Sequence, residues 1–174
     1  MTSTMRFNRW ENTLGQPYGT VLQVVQVVDT NITTISGGTT STFFAYNGLN
    51  NTVTPKAANS KFLVRFQINA GWNLGSARAA LNINGTTYGT TTTGTQRASS
   101  NSIYLNTGLP GSATIASLTG EYLFTNSGTG NVVITFEIFK QEAGDTLYVN
   151  RSNGFDDLQR GRPASWVTIM EIAQ

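Results

Sequence analysis

The chain has 174 residues with no Cys and no His, which excludes disulfides, thiolate metal sites and any mechanism needing an imidazole base. Only 11% of residues are charged, against about 25% in ordinary soluble domains, and a net charge of +2 is too small to imply a nucleic-acid partner. Hydrophobic residues make up 39%, enough for one core, and the length suits one domain.

Residues 1–19 differ in character from the rest of the chain. Arg6, Phe7, Arg9, Trp10 and Tyr18 are crowded into a segment with Gly15, Pro17 and Gly19 and no periodicity. It reads as an extended arm. Left in water, Phe7, Trp10 and Tyr18 would waste apolar area worth about 25 cal/mol per Å², so these five residues are the expected attachment contacts to a partner. The opening residues lack the apolar run of an export signal, and no stretch approaches the roughly 18 apolar residues of a membrane helix, so membrane insertion is not expected.

From Thr20 to Gln174 the chain is a succession of short β-prone runs. Val21 to Val28 is apolar except for Gln23 and Gln26, as in a strand covered on both faces. Ser41 to Leu49 comes after the Gly37-Gly38 break. Between Lys61 and Trp72, Phe62, Val64, Phe66, Ile68, Ala70 and Trp72 alternate with mostly polar residues, which puts one face in a core and one toward water. Arg78 to Ile83 runs into Asn84-Gly85, a strong hairpin signal, and returns as Thr86 to Thr92. The Thr90–Thr95 segment is low in complexity and expected to be a surface loop or exposed strand end. Further strands are expected over Ala98–Leu105, Ala113–Phe124, Asn131–Lys140, Asp145–Arg151 and Trp166–Ala173. About ten short strands with turns between them, and no helical pattern, mean a sandwich or barrel.

Catalytic residues are not evident. Asp156-Asp157 is the one close acidic pair, but sequence neighbours on a strand point to opposite faces, and these sit in a polar loop. Glu121, Glu137 and Glu171 are on different strands, with no spacing that brings them together. No clustered oxygen ligands suggest calcium, and Gly128-Thr129-Gly130 lacks the strand–loop–helix setting of a phosphate site. The expectation is a protein that is not an enzyme and has no cofactor or metal. Among the aromatics, Trp72 and Trp166 lie in phase with apolar residues of their own strands, which favours core or subunit interface. Tyr88 and Tyr104 are freer and are the candidate ligand contacts, together with the 86–95 loop.

Three blocks of sequence stand out together. The first is Trp10-Glu11-Asn12, Gly15-Gln16-Pro17 and Gly19 to Gln26; the second is Thr54-Pro55-Lys56 with Ser60 to Val64. The third is Tyr148 to Arg151, Arg162 to Ser165 and Val167 to Ala173. They resemble a family of bacteriophage virion proteins from phages of cyanobacteria and other aquatic bacteria. The resemblance implies an antiparallel jelly-roll sandwich similar to the tumour-necrosis-factor and C1q heads, usually homotrimeric, on the exterior of the phage particle. It transfers no active-site residues. Two functions are therefore expected to compete. One is a capsid decoration or short-appendage protein bound to other virion proteins, of capsid or tail, through its arm. The other is a tail-fibre or receptor-binding tip protein that recognises a host surface glycan.

Overall fold

The computed structural model describes residues 19–37, 42–71, 76–88, 90–93, 96–99, 102–104, 115–140, 146–152 and 162–174. Among them every regular element is a strand: β1 (Val21–Asp29), β2 (Thr33–Ile35), β3 (Thr42–Val53), β4 (Lys61–Gly71), β5 (Ser76–Ile83), β6 (Thr86–Tyr88), β7 (Thr90–Thr93), β8 (Gln96–Ser99), β9 (Ser102–Tyr104), β10 (Ala116–Thr125), β11 (Val132–Lys140), β12 (Leu147–Val149) and β13 (Ser165–Ile172).

Pairing is nested along the chain. β1 pairs with β13, β3 with β11, β4 with β10, and β5 with β9, all antiparallel. The chain is thus one long two-stranded ribbon. Rolled up, the ribbon joins β13 to β4 and β11 to β5. The result is a first sheet β1–β13–β4–β10, extended by β12–β2 beside the end of β4, and a second sheet β3–β11–β5–β6. Of the sandwich or barrel that the strand pattern allows this is a sandwich, with the jelly-roll topology that the resemblance implies.

The alternation in β4 does what its period requires. Phe62, Val64, Phe66, Ile68 and Ala70 are buried, facing Ile134, Phe136 and Ile138 of β11 and Leu81 and Ile83 of β5. Phe66 meets Phe136 edge-on across the two sheets at 5.1 Å between ring centroids. On β10, Gly120 lies opposite Phe66, and a Cβ built there would come within 2.5 Å of that ring. Gly120→Ala is accordingly expected to destabilise by about 1–3 kcal/mol through overpacking, measured by urea unfolding. An unchanged midpoint would show that Phe66 can move aside freely.

The Asn84-Gly85 hairpin joins β5 to β6 with φ of 51° and 83°, the left-handed pair a two-residue turn demands. Asn84 also accepts the Val133 N–H on its side chain at 2.8 Å and donates its own N–H to the Val133 carbonyl.

Of the two readings of the Thr-rich segment, the strand holds over Thr90–Thr93, which pairs as β7 with β8, from Thr90↔Ser99 to Thr93↔Gln96. One local reading is corrected. Among the described residues β1 is an edge strand with one open side, not one covered on both faces: Val24 and Val28 are each 55% exposed.

Candidate functional site

The register of the first sheet arranges its outward side chains in rows across four strands. One row is Val24–Met170–Leu63–Leu123, from β1 through β13 and β4 to β10. With strands about 4.8 Å apart, this apolar line is about 14 Å long. Its two ends are open, Val24 at 55% and Leu123 at 52% exposure. Val21 and Ile172 lie in the adjoining row, where the described chain begins: Gly19 donates its N–H to the Ala173 carbonyl at 3.2 Å. The apolar end of the face is therefore also the end where residues 1–18 join the sandwich.

The next rows are different in character. Gln26, Thr168, Arg65 and Glu121 form one, with Arg65 Nε and Glu121 Oε2 2.7 Å apart. Both side chains are more than half exposed, so the pair is screened and adds little to stability. Val28, Trp166, Gln67 and Thr119 form the row beyond. Trp166 and Arg65 border two depressions. One, of about 490 Å³, is lined by Arg65, Gln67, Thr119, Glu121 and Trp166; the other, of about 280 Å³, by Gln26, Val28, Thr168, Met170 and the same two residues.

Inside the sandwich, polar residues tie the strand ends together. At one end Tyr46 donates its hydroxyl proton to Asp29 Oδ2 at 2.5 Å, and Asn31 donates to Oδ1 through both its N–H and its amide. Burial, together with the bond to Asp29 and its charge, raises the Tyr46 phenol beyond its ordinary range, so the phenol stays protonated and is the donor. Asn150 bridges Asp29, Asn31 and Ser165, and the Ser165 hydroxyl oxygen accepts the Asn69 N–H. At the other end Glu171 accepts hydrogen bonds from the Lys56 and Ala57 N–H groups and from the Gln23 amide. Desolvation pushes its carboxyl upward, but these donors and the Ser60 side chain outweigh it, and the group lies below the usual glutamate range.

The carboxylates do not come together. Glu121 is on the outer face of the first sheet, Glu137 on the outward register of the second, and Glu171 at the buried end of β13. Among the described residues no three of His, Cys, Asp or Glu gather in one place. Asp156 and Asp157 lie outside the described residues, as do Arg6, Phe7, Arg9, Trp10, Tyr18 and Trp72.

Tyr88 is half-buried, its ring 4.4 Å from that of Tyr122 and packed against the core. The backbone of Tyr104 pairs with Ser76 in β9, and its side chain is outside the described residues. Trp166 is in phase with Met170 and Ile172, as the sequence suggests, but that phase is the outer one; Ser165, Val167, Ile169 and Glu171 point inward. The outward phase of β13 carries Trp166, Met170 and Ile172 while the inward one includes Ser165 and Glu171, so its period alone does not say which is inside.

No family model and no curated protein matches the sequence. Among solved structures the chain is similar to one described as the structure of infectious bursal disease virus Gx strain, with a TM-score of 0.40 and 12% identity. The alignment covers 91% of this chain and 39% of that one.

Proposed function

We propose that this chain is a non-enzymatic structural protein of a bacteriophage particle, a homotrimer seated on the exterior as a decoration or short-appendage protein through an arm of residues 1–19. The observation that carries the reading is the open apolar row Val24–Met170–Leu63–Leu123 on a sandwich whose core is filled without it. Such a surface is stabilised by a partner at about 25 cal/mol per Å² buried, and a second copy of the chain supplies one at every encounter. The phage setting rests on the three blocks of resemblance. A surface with few charges also suits a dense coat, where like charges on neighbouring copies would repel.

Light scattering on the purified protein tests the assembly. The expected mass is three times that of the chain, falling to one on Leu123→Lys with the circular dichroism unchanged. Deleting residues 1–19 is expected to leave a folded trimer that no longer binds purified particles. A stable monomer of the unaltered protein at micromolar concentration would remove the trimer from the reading. A truncated protein that still bound particles would move the attachment to the sandwich.

A further inference from the structure

We infer that the outer-face groove beside Trp166 is a binding site for a neutral saccharide. The inference holds whether the protein is a decoration or a receptor-binding tip, and it concerns the end of the face away from the arm. Along β1 the row of Val28 and Trp166 is seven residues from that of Val21 and Ile172, or about 23 Å at 3.3 Å per residue. The apolar row at Val24 and Met170 is four residues away along β1, or about 13 Å, so the site requires that contact between copies stop short of the Trp166 row.

The chemistry of the lining selects the ligand. A pyranose has an apolar C–H face and a rim of hydroxyl groups, each both donor and acceptor. Trp166 offers a half-buried indole for the first. Around it stand planar polar groups for the second: Arg65, Gln67 and Glu121. Gln67 donates its amide to Asn69 Oδ1 at 3.0 Å, which holds the amide in place and turns its carbonyl oxygen into an acceptor for a ligand. The Arg65–Glu121 contact brings Nε and Oε2 to 2.7 Å, and the two groups carry further N–H donors and a second carboxylate oxygen that a ligand could meet. A volume of about 490 Å³ falls in the roughly 300–1,000 Å³ range of small-molecule sites.

Charge excludes the other polar ligands. Arg65 is balanced by Glu121, and Lys61 stands at the far end of β4, across from Thr125. A phosphate or polyanion would find no excess of cations among the described lining residues. Hydrolysis is not part of the inference, because Glu121 has no second carboxylate across the groove among the described residues, and a glycosidase needs two.

The test uses the full chain on a printed array of neutral gluco-, galacto- and manno-configured oligosaccharides beside sialylated and uronate ones, followed by calorimetric titration of the retained sugar. At least one neutral oligosaccharide is expected to bind. Its affinity should fall about tenfold or more in Trp166→Ala and in Arg65→Ala, with melting temperature and scattering mass unchanged. Arg65 is exposed, so its variant carries the test if Trp166→Ala fails to fold. Four results would each overturn the inference: no neutral sugar retained, only acidic sugars retained, binding indifferent to both variants, or a fall in assembly mass with Trp166→Ala. The last would make the groove a contact between copies. Failure on the array leaves the structural reading intact, since scattering and particle binding measure that separately.

Discussion

Asn150→Ala is expected to lower the stability of the folded chain by about 3–5 kcal/mol, through two additive causes. Asn150 is fully buried at φ 60°. Its amide donates to the carbonyls of Asp29 at 2.8 Å and Asn31 at 2.9 Å, and its carbonyl accepts the Ser165 hydroxyl at 2.6 Å. Alanine would take these bonds away from two buried carbonyls and leave the Ser165 hydroxyl with one partner fewer, at roughly 1–3 kcal/mol each before relaxation. It would also have to hold a left-handed backbone that asparagine tolerates and alanine resists, by about 1–2 kcal/mol. Asn150→Gly separates the causes, since glycine removes the strain but not the lost bonds. Urea unfolding should therefore rank the unaltered chain first, glycine second and alanine last. A loss below about 1 kcal/mol for alanine would mean that the amide does not hold these strand ends.

Glu171→Gln is expected to cost about 2–4 kcal/mol at neutral pH and much less in acid. The carboxylate is fully buried, within 2.9 Å of the Lys56 N–H, 3.1 Å of the Ala57 N–H and 2.5 Å of the Gln23 amide. A glutamine would turn an NH₂ toward one of those donors. The sign of the pH dependence comes from the lowered folded-state value. A carboxyl held below its unfolded value of about 4.3 adds stability above that pH and loses it as the pH falls through the folded value. The unaltered chain should lose stability over that acid range, and the gap to Glu171→Gln should narrow as it does. Urea midpoints at pH 7 and pH 3 measure it. A gap of equal size at both would show that the charge on Glu171 is immaterial.

Both of these residues were invisible as anchors in the sequence, and the reason is distance along the chain. Asn150 and Asp29 are 121 residues apart, and Gln23 and Glu171 are 148 apart. Nothing local marks a buried polar residue whose partner comes so much later. Local information sufficed where one face is apolar and the other polar, as in β4, or where backbone geometry dictates the residue, as at Asn84-Gly85. It failed where apolar residues do not keep to one face. In β1 the valines read as doubly covered, whereas Val24 and Val28 stand open, and in β13 the indole of Trp166 faces outward. The candidate groove was missed for the same reason. It takes side chains from β4, β10 and β13, and its assembly depends on register, which a single sequence does not display.

Nested pairing also sets the order in which the chain can mature. Among the described strands β1 is synthesised first, yet its partner β13 comes after all the others. With Gln23 and Glu171 148 residues apart, a ribosome adding about 5–20 residues per second takes roughly 7–30 s between them. Throughout that interval Val21 to Val28 is an apolar segment without a ladder on either side. The outermost turn of the ribbon closes only once β13 exists, so refolding should be slow for the chain's size, as for other folds dominated by distant contacts. Nascent chains crowded on one messenger would meet each other's unpaired β1 before their own β13 exists.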